Sequence, residues 1–521
     1  MKKQLLFIVL AFAVITGYSQ SYFEKFIEPE DGVFREAEYV VETEDHGFII
    51  SCSARYINQN GMLLKITADG EITNRLIFQI NNKDLRYCGL YKNPDQENEY
   101  IAIALLVGVI NSSYVMTELA FLHLDADLNI ISQNICSLDE GYFFYVVNQE
   151  KDFPRFELRE DGTFLMAAHC YKTDSYCYVF AKIRTDGEII RMQEDSNFDE
   201  SVNYLSDLFQ RDNGGCGMIC WSNKDNGGEF YYTVDSSLNC VKNARLSNTK
   251  LKVIQTNPQY PDTTYNYFFP RGTGVAYNDT SFLLTNHTKY LKHSGGKFGF
   301  AYFVAKVNDS IDVYDIKIWD IIAQTEPARR VAGVKALSVT DDAIYQCGFN
   351  GHNSYGLIYT EPPVPSIITV SKFDKDLNLI WRRYYGANDN IYEINVIQAT
   401  EDGGCILTGV SAQNPKYNYY LSYVLKLDAD GYDSVDENGE SIAKPYCCYP
   451  NPAHDNIYIE ISPDVQCKSI EICTLDGRLV EIFTSTCDLT SINIANLNSG
   501  IYILKLKMLE GTEFSERIVK D

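Results

Sequence analysis

The chain has 521 residues, 45% of them hydrophobic, and a net charge of −25. This apolar content excludes a disordered chain and suffices for several packed domains. The acid excess excludes a nucleic-acid binder, which depends on Lys and Arg to neutralise phosphates.

At the start, Lys2 and Lys3 precede an apolar run from Leu5 to Ile15, followed by Gly17-Tyr18-Ser19-Gln20. This is the pattern of a secretory signal peptide over residues 1–20, with Gly17 and Ser19 as the small side chains that a signal peptidase needs. The run is too short to span a bilayer, and so is "YIAIALLVGVI" at 100–110, which reads as a buried strand. The first cysteine is Cys52, so no lipid anchor is expected at the cut, and the mature chain is expected to be soluble after export with no transmembrane segment.

Fifteen cysteines is an odd count, which leaves at least one thiol over unless it pairs with another chain. Cys52, Cys220, Cys347 and Cys405 lie inside apolar runs, where free cysteine behaves as a small hydrophobe. Cys447, Cys448, Cys467, Cys473 and Cys487 crowd the C-terminal end, where a bridge would first be sought.

The middle of the chain repeats itself. "DHGFIISC" at 45, "ENEYIAIA" at 97, "DGTFLMAA" at 161, "NGGCGMIC" at 213, "DTSFLLTN" at 279, "DDAIYQCG" at 341 and "DGGCILTG" at 402 are copies of one signature. Each is followed by a second, as in "LKITADGEI" at 64, "LHLDADLNI" at 122, "SKFDKDLNL" at 371 and "LKLDADGYD" at 425. The first reads as a turn entering a buried strand, its glycines accepting positive φ. The second reads as a half-buried strand leaving through an Asp/Gly hairpin. A unit of about sixty residues holds four strands, and one such sheet cannot bury its own faces. Packing the units and closing the ring gives an all-β, seven-bladed β-propeller, with six or eight blades also fitting the pattern.

These copies resemble the repeats of bacterial secreted propeller proteins, whose blades carry a "DGG…G" strand and a "K-h-D-x-D-G-x-h-x-W" hairpin, h being apolar. "SKFDKDLNLIWRRYYGANDN" at 371–390 matches best. The resemblance covers roughly residues 35–435 and implies a fold and no activity. The expected domains are a signal peptide (1–20), the propeller (21–435), a linker (436–448) and a terminal β-sandwich (449–521).

That terminal segment opens with Pro450 and Pro452, which cannot donate to a ladder and force an entry turn before the alternating "NIYIEI". "SIEICTL", "RLVEIFT", "SINIANL", "GIYILKLK" and "EFSERIVK" read as further short strands. Pro450-Asn451-Pro452, then Leu475-Asp476-Gly477-Arg478-Leu479-Val480, then Leu497-Asn498-Ser499-Gly500-Ile501-Tyr502, and the tail Arg517-Ile518-Val519-Lys520 resemble the C-terminal sorting domain of type IX secretion substrates. Thr474 departs from the family's usual Asp or Asn. The resemblance implies recognition of residues 449–521 by an outer-membrane translocon and its sorting peptidase. The passenger would then be released or linked to surface lipopolysaccharide.

Chemistry is harder to find. "GHNSYG" at 351–356 has one residue too many before Ser354 for a nucleophile elbow. The Asp-x-Asp turns suggest calcium, but no D-x-D-x-D-G loop with a distal Glu follows, and Asp and Gly are ordinary hairpin residues, so no cofactor is expected. The histidines His46, His123, His169, His287, His293, His352 and His454 show no zinc-ligand spacing. The sequons at Asn111, Asn278, Asn286 and Asn308 read as surface Asn. The connection at 255–274, with Tyr260, Tyr265, Tyr267, Phe268, Phe269 and Arg271, reads as a loop too long for a hairpin and the first candidate for ligand contact. "SYGLIYTEPPVPS" at 354–366 is a second. The expected function is an exported, surface or secreted binding protein for a glycan or protein, with no catalytic or metal residues assigned. The alternative is an extracellular hydrolase or lyase on polysaccharide or peptide, with acidic residues in the channel.

Overall fold

A computed structural model describes residues 22–520 apart from several stretches, the longer being 55–59, 145–152, 196–201, 223–227, 246–262, 293–297, 320–327, 352–366, 414–419, 432–444 and 484–488. The expected signal peptide, residues 1–20, lies outside the described residues. Among them no helix occurs, and none is long and apolar enough to cross a membrane.

Strand β1 (Phe23–Ile27) stands apart from its neighbours in sequence. Four strands then form the first sheet: β2 (Arg35–Glu42), β3 (Phe48–Ala54), β4 (Gly61–Ile66) and β5 (Ile72–Phe78). The second is β6 (Asp84–Lys92), β7 (Glu99–Ile110), β8 (Ser113–Asp125) and β9 (Ile130–Ser137). In the third, β10 (Tyr142–Phe144) and β11 (Arg155–Leu158) both pair with β12 (Phe164–Lys172), followed by β13 (Ser175–Ile183) and β14 (Ile189–Asp195). The fourth is β15 (Val202–Gln210), β16 (Cys216–Ser222), β17 (Gly228–Val234) and β18 (Cys240–Arg245). The fifth has β19 (Thr263–Phe268) and β20 (Thr273–Asn278) on β21 (Ser281–Lys292), then β22 (Phe298–Asn308) and β23 (Val313–Trp319). The sixth has β24 (Ala328–Val331) and β25 (Leu337–Val339) on β26 (Ile344–Gly351), then β27 (Ile368–Phe373) and β28 (Leu379–Tyr385). The seventh is β29 (Asn390–Ala399), β30 (Cys405–Gln413) and β31 (Tyr420–Leu427), completed by β1, which runs antiparallel to β31 with Phe23 opposite Lys426.

All seven sheets are antiparallel meanders, and each packs on the next. The first strands meet in succession: β2 touches β6, β6 touches β11, then β15, β20, β25 and β29 follow, and β29 touches β2 again. Apolar side chains fill the spaces between sheets, where Tyr231 of β17 stacks on Phe282 of β21 with ring centroids 4.5 Å apart. Close approach demands a bare backbone at Gly348 of β26, where a Cβ would lie 2.4 Å from Tyr302 Cε1 of β22.

The two sequence signatures are parts of one turn system. In the first, Gly162 and Gly403 adopt φ of +74° and +82°, and His46 and Asn98 take the same left-handed conformation without being glycine. In the second, an Asp or Asn carboxylate or amide oxygen accepts the amides two and four residues on, as Asp125 does from Asp127 and Asn129 at 2.9 Å each. Gly70, Gly187 and Gly431 supply the left-handed residue in three copies, but Leu128, Leu238 and Leu377 occupy that position in three others, at φ of 66°, 65° and 61°. Each leucine is at most 3% exposed, so burial of its side chain offsets the backbone cost. The signatures also touch. Asp45 of one reaches Lys65 of the other at 2.8 Å, and Asp161 reaches Lys182 at 2.7 Å.

The terminal module holds β32 (Tyr446–Tyr449), β33 (Asn456–Ile461), β34 (Cys467–Thr474), β35 (Leu479–Phe483), β36 (Leu489–Asn493), β37 (Gly500–Met508) and β38 (Glu513–Lys520). One sheet is ordered β32-β33-β36 and the other β35-β34-β37-β38. Ile457, Ile459, Ile470, Ile472, Leu504 and Leu506 from the two sheets share one buried core. None of the fourteen described cysteines is in a disulfide, although Cys170 and Cys177 stand opposite each other on β12 and β13. Cys487 lies outside the described residues.

Candidate functional site

Antiparallel alternation sorts the connections between two ends of the sheets. At one end lie the short Asp/Gly turns joining first to second and third to fourth strands, such as 43–47, 67–71, 159–163, 374–378 and 400–404. At the other end lie the connections from second to third strand and from sheet to sheet. Within the seven sheets the two longest, 246–262 and 352–367, both fall there.

The first strands carry a line of charged residues in otherwise apolar sequence. Asp207 of β15 is 2% exposed, and its Oδ2 accepts the Gly274 amide of β20 at 2.9 Å. Lys335, just before β25, pairs with Glu157 of β11 at 3.3 Å. Arg155 Nη1 of the same strand donates to the Tyr39 hydroxyl of β2 at 3.4 Å. Glu38 accepts from Ser53, and Arg86 of β6 is buried nearby in charge range of Glu38. Several of these strands are bulged at comparable places: between Ala37 and Tyr39, Tyr87 and Gly89, Leu205 and Asp207, and Ile394 and Val396. A bulge re-aims side chains out of the ladder's alternation. The extra residues are Glu38, Cys88, Ser206 and Asn395, and Asn395 Nδ2 donates to Ala37 O at 2.9 Å, bridging β29 to β2.

Burial dominates the electrostatics. It pushes the Asp207 carboxyl up to about 6, against the opposing pull of Lys335, the Gly274 amide and Arg155. It also raises the Tyr39 and Tyr91 phenols well above the ordinary range. Glu157 holds Lys335 in its charged form more firmly than usual. A buried carboxyl raised to about 6 in charge range of two cations and the Tyr91 phenol can bind a polar group or exchange a proton.

The residues singled out from sequence fare differently. Tyr260, Phe269 and Arg271 lie outside the described residues. Tyr265, Tyr267 and Phe268 belong to strand β19, paired with β21, so residues 255–274 are not one unbroken loop. The β-branched and aromatic run Thr263–Phe268 favours a strand, and flanking Pro and Asn hid it. Ser354 and the rest of the second insertion are likewise outside the described residues, as are His293 and His352. The turn aspartates spend their oxygens on backbone amides and lysines. Among the described residues one triad could hold a metal ion, Glu42, His46 and Glu401, but Lys92 already sits 3.1 Å from Glu401.

In the terminal module, Asn451 ties the entry turn to the last strand, accepting from Val519 N and donating to Arg517 O at 2.8 Å each. Gly477, at φ +83°, closes the turn in which Thr474 N donates to Arg478 O. Tyr502 OH donates to Asn498 O at 2.9 Å, Gly500 pairs with Lys520, and Lys520 is buried. Pro450 and Pro452 lie outside the described residues.

The line of charges was missed in the sequence reading. Its trace is the charged residues inside "REAEYVVE", "DLRY", "PRFEL" and "LSDLF", each just upstream of a first signature.

The described residues thus define an all-β protein of seven meander sheets followed by a two-sheet module. Residues 447–521 match the family described as the secretion system C-terminal sorting domain. A type IX sorting domain directs the chain to the cell surface or to secretion through the outer membrane, and implies interaction with that machinery. No curated protein matches the chain. Among solved structures, the polysaccharide lyase Uly1 is similar at 11% identity and a TM-score of 0.41, covering 81% of this chain and 94% of its own. A protein of unknown function from Dyadobacter fermentans is similar at 10% identity and 0.40, covering 64% and 95%. The NanB sialidase from Streptococcus pneumoniae is similar at 11% identity and 0.35, covering 78% and 71%.

Proposed function

We propose that the mature chain is an exported, closed seven-bladed β-propeller that binds an extracellular glycan or protein through the end bearing its long connections. The domain limits are those read from the sequence: signal peptide 1–20, propeller 21–435, linker 436–448 and sorting domain 449–521. The observation that carries the reading is the segregation of connections. One end is uniform turn chemistry committed to its own backbone, whereas variation in length and composition is confined to the other, where specificity can change without disturbing the core. The segment 255–274, with Tyr260, Tyr265, Tyr267, Phe268, Phe269 and Arg271, is part of that proposed surface. The mature chain is to be screened on glycan arrays and against polysaccharide and peptide panels. Saturable binding without turnover, reduced when 255–260 is replaced by Gly/Ser, supports the reading, and turnover of any member contradicts it.

A second reading is a hydrolase or lyase working at the line of charges. It is favoured by one observation, the buried Asp207 carboxyl raised to about 6 in charge range of Arg155, Lys335 and Tyr91. Turnover abolished in Asp207→Asn would support it. The binding reading stands ahead because Asp207 is 2% exposed and committed to the Gly274 amide.

A further inference from the structure

The fourth strands of most sheets face solvent. Strands β5, β9 and β14 are exposed or half-buried along nearly their whole length. Strand β28 differs, because Trp381, Arg382, Arg383, Tyr384 and Tyr385 are all buried. Trp381 and Tyr385 are covered from within the ring of sheets, donating to Ala429 O and Gly431 O. The three residues between them are covered by the terminal module. Arg382 N, on the free edge of β28, donates to Ser462 Oγ at 3.2 Å. Arg383 Nη1 pairs with Asp464 Oδ2 at 2.7 Å, with side chains 9% and 19% exposed. Tyr384 OH donates to Glu460 Oε1 at 2.9 Å inside a small apolar cluster with Cys447, Tyr458 and Ile367.

We propose that the edge of the sixth sheet is a specific binding site for the sorting module of this same chain, and that the contact holds the two together after the linker is cut. The chemistry fits a seat rather than a casual touch. An edge amide is capped, a guanidinium is paired and a phenol is satisfied, all within three consecutive residues that are themselves buried, although Asp464 keeps contact with solvent. Polar contacts with a buried member are costly to break singly, since each leaves that member unmatched. Hydrolysis in 432–444 therefore does not release the module. Dissociation from β28 is a separate step, and the opposite sheet, with β35 exposed at its edge, stays open to other partners while the module is seated.

The test uses the full mature chain with a site-specific protease sequence placed at 436–440. After cleavage and gel filtration at physiological ionic strength, the module is expected to co-elute with the passenger. Its elution as a separate species would overturn the proposal. Arg383→Ala combined with Tyr384→Phe is expected to weaken retention at least tenfold and move the module to its own peak, with near-UV circular dichroism of the uncut chain unchanged. Co-elution undiminished in that variant would also overturn it. Should the variant lose its folded spectrum, the exchange Arg383→Asp with Asp464→Arg decides: restored co-elution supports the pairing, and continued separation in a folded chain refutes it. None of these outcomes depends on what the passenger binds.

Discussion

Asp402 Oδ2 and Lys426 Nζ lie 2.8 Å apart, with Lys426 1% exposed and donating also to Leu427 O. The pair joins the turn that opens one strand, β30, to the next strand, β31. The Asp45–Lys65 and Asp161–Lys182 pairs do the same in other sheets. Because a buried ammonium cannot return to water when its partner is removed, Asp402→Ala is expected to destabilise the chain by about 3–5 kcal/mol. Lys426→Met is expected to cost clearly less. Urea denaturation of both variants checks the order, and equal losses would contradict it.

The same carboxylates make the chain acid-sensitive. Burial alone would raise the Asp45 carboxyl, but the Lys65, Thr43 and Gly47 hydrogen bonds outweigh it and hold the group down at about 2. Asp402 is likewise lowered, with Lys426 outweighing burial. A depressed folded pKa contributes stability that is present above the unfolded value and lost as pH falls. Thermal melts are expected to drop as pH is lowered from about 4 toward 2, and Asp45→Asn is expected to flatten part of that drop.

Asp207 acts with the opposite sign. Its folded pKa is raised by burial to about 6, so the folded state holds the proton more tightly than the unfolded chain. That contribution is full below about pH 4 and is lost as pH rises to about 6, amounting to roughly 3 kcal/mol. Asp207→Asn keeps an acceptor for the Gly274 amide and removes the titration. Its stability relative to the parent is expected to improve between pH 4 and 6, as read by denaturant midpoints at the two ends of that range.

The left-handed leucines give a sharper test of turn chemistry. Leu377→Gly relieves about 1–2 kcal/mol of backbone strain but empties a buried site worth about 2–5 kcal/mol, so net destabilisation is expected. Gly403→Ala meets only Ala429 Cβ at 3.7 Å and pays the strain alone, about 1 kcal/mol. A stabilised Leu377→Gly would show that burial does not hold the leucine in place.

Removal of everything from Tyr449 onward is expected to leave the chain in the periplasm. Asn451→Ala, which loses both ties to β38, is expected to lower surface delivery in proportion to the melting of the module. Fractionation of cells expressing the variants measures this. Normal surface levels of the truncated chain would refute the sorting assignment.

The strand run and the sorting motifs were legible because they rest on local chemistry: turn residues, alternation and prolines that cannot donate. "GIYILKLK" and "EFSERIVK" are strands β37 and β38 almost residue for residue. Leu128, Leu238 and Leu377 were not legible as left-handed, since the side chain that makes the conformation tolerable packs against residues distant in sequence. Neither was the meeting of Asp207, Glu157 and Lys335, which three different sheets bring together. Charges inside apolar strands mark such places, but only the packing says which of them converge. Residues 263–268 erred the other way, their strand propensity masked by the prolines and asparagines around them.

Strand β1 finds its partner only at β31, at the far end of the seven-sheet region. The seventh sheet therefore cannot be completed until residue 427 is available, however early the other sheets form. Contacts of such long range are slow to make. A chain threaded through a membrane from its N-terminus would carry an unmated strand until residue 427 had crossed, with only the linker and the terminal module left to follow.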